Sequence, residues 1–269
     1  MEAEWERRGH GGESVRLDGA RCLVVGGARR LGRVISLELA AAGADVAISS
    51  RTSGPEVDAA RAAIAELGRR GVAVYGDVTA PPQVANLVTE AATALGGLDV
   101  LVYTASGPFE PAAPQDIDPA SWQASFDIVA RGFFLAACAA HDRFVAQDPP
   151  SPDAAPRVRG VIVALTDVLG IAPWAAFAAH GAAKAAQIML VRSLAKAWAP
   201  EGIRVCGVAP GPVDLVDDPR REATVRAAAR SASGRPVAPA DVAAAIRSMV
   251  ENDALTGVNL PADGGLLLA

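Results

Sequence analysis

The chain has 269 residues, 51% hydrophobic and 20% charged, with a net charge of −5 and a pI near 5.3. That much apolar material builds a sizeable core and excludes a disordered or fibrous chain. The acidic balance, with no basic run longer than Arg29-Arg30, Arg69-Arg70 or Arg220-Arg221, argues against nucleic-acid or membrane-surface partners, because phosphate binding wants a basic patch.

Residues 1–16 are charged and Gly-rich, without the apolar stretch of a secretory signal, and read as a mobile tail. Beyond them, short apolar runs at 22–25, 45–49, 72–75, 98–103, 158–165, 203–208 and 258–260 alternate with helical patterns. The helical patterns fall at 31–42, 56–67, 83–95, 121–145, 174–199 and 241–250. The first carries Leu31, Val34, Ile35 and Leu39 at three-and-four spacing and stops at Gly43. Pro119 and Pro239 sit where a first helical turn accepts proline. Seven strand-like runs separated by helices specify an α/β chain with a doubly wound parallel sheet, a single domain over 17–269. Two stretches break the rhythm. Residues 147–160 are Pro-rich and read as an exposed loop, and 210–234 are charged and irregular with one helix at 220–232, as a lid or substrate wall would be. No run of about 18 apolar residues occurs, so no spanning helix is expected. Cys22, Cys138 and Cys206 stand far apart, as small core residues of a reduced, cytoplasmic protein.

The first strand runs into Val25-Gly26-Gly27-Ala28-Arg29-Arg30-Leu31-Gly32. Glycines there let backbone approach a pyrophosphate, and the helix start supplies N–H donors and the positive end of its dipole. The spacing is not G-x-G-x-x-G. A carboxylate at the end of the second strand would bind ribose hydroxyls and repel a 2′-phosphate. This chain has Ser50-Arg51 instead, and Arg51 with Arg30 offers donors suited to phosphate. NADP(H) is therefore the expected cofactor.

In its turn and the motifs that follow, the chain resembles the short-chain dehydrogenase/reductase family from about Leu17 to Gly265. The family's turn is T-G-x-x-x-G-x-G; Gly26 and Gly32 match, Val25 replaces the threonine and Arg30 the middle glycine. Arginine there is similar to the pteridine reductase branch, which prefers NADPH. Asp77-Val78 matches the family's adenine contact, Pro210-Gly211-Pro212-Val213 its P-G after the sixth strand, and Asp263-Gly264-Gly265 its late D-G-G. Tyr103-Thr104-Ala105-Ser106 stands where the family has N-N-A-G. The resemblance implies a Rossmann-type fold, NADP(H) held by Gly26, Arg29, Arg30, Leu31, Gly32, Ser50, Arg51, Asp77, Val78, Ala105, Lys184, Pro210, Gly211 and Val213, and a homotetramer or homodimer built through the two long helices.

The family's chemistry uses a tyrosine and a lysine four residues apart on one helix face. Lys184 matches the lysine, and His180 stands at the tyrosine. The serine position falls at Asp167 and the asparagine position at Val129. An Asp at the serine position also resembles pteridine reductases. The only tyrosines are Tyr75 and Tyr103, and neither can shift into the vacant role. Imidazolium can donate a proton near neutral pH. Asp167 would orient the ring and raise its pKa, and Lys184 would oppose that rise. The sequence leaves open which effect wins. It also leaves open three functions: reduction of a C=O or C=N bond of a small molecule, non-redox proton transfer by His180 and Asp167, and a silent site. His10 and His141 lack partners at metal spacing, so no metal is expected. Trp174, Phe177, Phe109, Pro111 and Trp122 read as packing residues or pocket lining.

Overall fold

The computed structural model describes residues 15–107, 110–147, 158–216 and 218–269. Most of the expected tail, with His10, most of the Pro-rich loop, and Phe109 lie outside the described residues.

Seven strands alternate with helices in the order β1 (Arg21–Val25), α1 (Arg30–Ala41), β2 (Asp45–Ser50), α2 (Pro55–Glu66), β3 (Gly71–Tyr75), α3 (Pro81–Leu95) and β4 (Val100–Tyr103). There follow α4 (Pro119–Ser125), α5 (Gly132–Ala146), β5 (Gly160–Leu165), α6 (Ala178–Trp198), β6 (Ile203–Pro210), α7 (Arg221–Ala228), α8 (Pro239–Glu251) and β7 (Asn259–Ala262). All strands are parallel, in the order β3-β2-β1-β4-β5-β6-β7. The order in which strands are added switches sides between β1 and β4, which leaves a crevice at the carboxyl ends of these strands.

Side chains alternate across the sheet. Cys22 and Val24 of β1 pack with Ile35, Leu39, Ile246 and Val250 on one face. Leu23 and Val25 pack with Leu87, Phe133, Phe144 and Val191 on the other. Both faces are sealed, as a parallel sheet requires. Val15 already packs against this core.

Several expected boundaries move. The helix expected at 121–145 starts earlier, at Pro119, because the Asp118 side chain accepts from the Ala120 and Ser121 N–H groups as an N-cap. It is also interrupted by a π-helical turn, Phe126–Arg131. By length and mean hydropathy the continuous helix Pro119–Ala146 meets the size needed to cross a bilayer, contrary to the expectation of no such segment. Its inward stripe of Phe133, Ala136, Ala137, Ala140 and Phe144 nevertheless packs on the sheet as a core helix does. The helix expected from 174 begins as a 3-10 turn, Ala175–Phe177, and that expected at 220–232 is the shorter α7.

Candidate active site

The turn between β1 and α1 is built from backbone. A Cβ on Gly32 would run into the Gly26 carbonyl, so only glycine lets the helix close on the strand here. Ser36 Oγ donates to the Gly27 and Gly32 carbonyls, and Ser49 Oγ accepts from the Gly26 N–H. Arg29 is the N-cap of α1 and makes no side-chain capping bond, which leaves the first-turn N–H groups to a ligand anion. This cradle fits a dinucleotide pyrophosphate. Arg30 holds φ at 49°, a left-handed conformation costly for a residue with a Cβ. Its guanidinium pairs with Asp218 in the segment after β6, and Arg29 pairs with Glu56 at 3.4 Å. Ser50 ends β2 beside Tyr75 of β3, and Arg51 beyond it is exposed. Asp77 accepts from the Thr79 N–H and hydroxyl, each at 2.8 Å, and these bonds hold its pKa below the usual carboxylate value.

The catalytic candidates meet where α6 packs on the end of β5. Asp167 caps a 3-10 turn, Val168–Gly170, by accepting from the Leu169 N–H at 2.9 Å. That turn lies so close to α6 that a Cβ on Gly170 would meet the Lys184 carbonyl carbon at 2.7 Å. The close approach brings Asp167 Oδ2 to 3.7 Å from His180 Nε2, an electrostatic pairing longer than a hydrogen bond. His180 is 3% exposed and Lys184 4%. Lys184 Nζ donates to the Leu165 carbonyl at 2.6 Å and to Gln187 Oε1 at 3.2 Å. Burial pushes the Lys184 pKa down to about 8, against the pull of Asp167. Burial also holds His180 below the ordinary histidine value; Asp167 opposes this, while the charges of Lys184 and Arg220 reinforce it. The contest left open by the sequence goes to desolvation, which outweighs the upward pull of Asp167 on the imidazole. Among the described residues no group of His, Cys, Asp and Glu could hold a metal ion.

Residues 26–267 match the family model described as enoyl-(acyl carrier protein) reductase. The chain belongs to the short-chain dehydrogenase/reductase family. It is 32% identical over 262 residues to 3beta-hydroxysteroid dehydrogenase 1 of Eggerthella lenta, covering 94% of this chain and 95% of that one. It is 37% identical over 248 residues to cis-4-hydroxycyclohexanecarboxylate dehydrogenase of Sinomonas cyclohexanicum, covering 90% and 94%. A short-chain dehydrogenase from Burkholderia cenocepacia, solved in complex with NADP, superposes with a TM-score of 0.82 at 33% identity, covering 94% of this chain and 99% of that one.

Val129, expected from the sequence at the family's asparagine position, is fully buried in the π-helical turn. There the Gly132 N–H reaches back five residues to the Asp127 carbonyl, and the Ile128 carbonyl accepts from Tyr103 Oη at 2.5 Å. Tyr103 thus secures the widened turn and takes no place beside Lys184. Burial raises its pKa well above the ordinary tyrosine value. Leu31 is buried at the cofactor turn, Ala105 packs against Gly26, and Val78 lies beside Gly132. Pro210 ends β6, the Gly211 N–H donates to Ala262, and Val213 bridges to Val237. Phe177 and Trp174 pack edge-tilted at the α6 start, with Arg230 over the Trp174 ring at 5.9 Å.

Sequence reasoning missed Gln187, Arg220 and the Asp218 bridge. Gln187 had a usable signal, being a polar residue one turn after Lys184 on an apolar stripe. Asp218 and Arg220 had none, because their role depends on how an irregular segment folds over the crevice.

Proposed function

We propose that the protein is an NADP(H)-dependent oxidoreductase that interconverts a carbonyl and a hydroxyl on a small molecule, with His180 as acid/base in the tyrosine's place. The observation that carries this reading is the buried imidazole one turn from Lys184 and 3.7 Å from Asp167. Both named relatives are dehydrogenases of hydroxy compounds, which favours a C=O/hydroxyl pair over C=N. Support for NADP(H) comes from Ser50 and the exposed Arg51 at the end of β2 and from the NADP-bound structural relative.

NADP(H) bound there would supply or accept the hydride. His180 Nε2 takes the hydroxyl proton in oxidation and returns it in reduction. A pKa below the ordinary histidine value leaves the imidazole neutral near pH 7, poised as a base. Asp167 faces the imidazolium that forms and stabilises it. Lys184 donates to Leu165 and Gln187, which leaves its ammonium one further N–H that would serve a ribose or alkoxide oxygen.

NADPH carrying deuterium at C4 tests the reaction class with a panel of cyclic ketones. Labelled alcohol with matching loss of nicotinamide absorbance is the expected result. Product without label would replace this reading by non-redox proton transfer, and tight NADPH binding with no turnover of any ketone would count for a silent site.

A further inference from the structure

We propose that Gln187 is a positioning residue for Lys184, its side-chain oxygen holding the ammonium against the end of β5; the proposal rests on the reading of Lys184 as the cofactor's anchor. His180, Lys184 and Gln187 form one buried stripe on α6, and Gln187 is fully buried between helix and sheet. Lysine can only donate, so the carboxamide must turn its oxygen to Nζ. The consequence is an orphan: Gln187 Nε2 is buried without a hydrogen-bond partner. A leucine would fill that space without leaving a donor unpaired. The oxygen is what the position delivers to its neighbour.

Lys184 needs it. The ammonium is enclosed, and burial alone drives it toward the neutral form. Two acceptors oppose that loss by bonding the charged form, the Leu165 carbonyl and Gln187 Oε1. The charged groups facing the site come from each packed element. Asp167 lies in the turn after β5, His180 on α6 itself, and Arg220 acts on His180 from the segment after β6. Only Asp167 favours the ammonium among these, and it also serves His180. Gln187 therefore keeps Lys184 charged and aimed without adding a second negative charge that would drag the histidine upward.

The chain holds only two lysines, Lys184 and the exposed Lys196, so selective 13C labelling of lysine gives two signals, assigned with Lys196→Arg. In the full-length protein the Lys184 signal should titrate near pH 8. Gln187→Leu should lower its midpoint by about one pH unit, and Gln187→Glu, which keeps an acceptor and adds charge, should raise it by at least as much. NADPH affinity at pH 8 should fall about fivefold in Gln187→Leu and recover in Gln187→Glu, with the Gln187→Leu loss shrinking at pH 6.5. Unshifted midpoints in both variants, with NADPH binding intact, would overturn the role of Gln187 alone. Failure of the unmutated protein to bind NADPH would overturn the cofactor reading and, with it, the purpose assigned here to Gln187.

Discussion

The cofactor turn and the start of α6 lie at the same edge of the sheet and are made of different material. The turn is backbone, a glycine cradle at a helix start, with the exposed Arg29 and Arg30 paired to Glu56 and Asp218. The start of α6 is side chain, with His180, Lys184 and Gln187 buried in one stripe and Asp167 pressed against it through Gly170. The arginines on the turn are largely screened by water, so each pairing is worth little alone. Charges on the helix are desolvated, so each moves its neighbours' protonation. On the proposed function, recognition falls where errors cost little and proton chemistry where every contact counts.

The sharpest way to break that contrast is at His180. His180→Ala should lower turnover by about 10²–10⁴ with NADPH affinity little changed. Normal turnover in this variant would place the acid/base elsewhere. The pH profile sharpens the point. Oxidation needs the neutral imidazole and should fade as pH drops through a pKa below 6.5, and reduction, which needs the imidazolium, should fade as pH rises through the same value. Inverted profiles for the two directions would rule His180 out.

A stability measurement probes the same helix without substrate. Lys184 titrates at about 8 in the fold against 10.5 unfolded, a difference of about 3 kcal/mol between its two protonation states. Between those values the unfolded chain binds the extra proton, so stability should climb as pH rises from 8 toward 9.5. Lys184→Met should flatten that climb. A wild-type curve with no climb would mean that the lysine is better solvated than its burial indicates.

The turn should respond more weakly. Arg51→Ala should cost about 1.5–3 kcal/mol of NADPH affinity and leave NADH affinity unchanged, as calorimetry with both nucleotides would show. An equal loss for the two would separate Arg51 from the 2′-phosphate. Smallest of all, Arg30→Gly should relieve about 1 kcal/mol of left-handed strain and lose an ion pair whose arginine is 57% exposed. Denaturant unfolding should show a protein at least as stable as the parent. Clear destabilisation would make the Asp218 bridge a structural tie.

The sheet was legible because alternation and helical spacing are local signals. All seven expected strands pair in parallel, with ends displaced by a residue or two where a neighbour's register decides, as at Pro210 beside Ala262. The π-helical turn was not legible. It depends on a phenol donated from another strand, and no pattern within 119–146 announces that. In the site, Gly26, Gly32, His180 and Lys184 could be placed by spacing. The direction of the His180 shift could not, because it follows from how completely α6 and the turn after β5 exclude water. The Arg30–Asp218 contact joins residues 188 apart, and only the folded chain brings them together.

Tyr103 has one more consequence. Of the two tyrosines, Tyr75 stands 41% exposed on β3 and Tyr103 is sealed between sheet and helix with its hydroxyl committed to Ile128. Burial keeps the inner phenol protonated, so it gives up its proton only when the helix lets go. The ultraviolet signal of its phenolate should therefore appear together with the loss of helix packing. It is a built-in optical marker for the moment the long helix leaves the sheet.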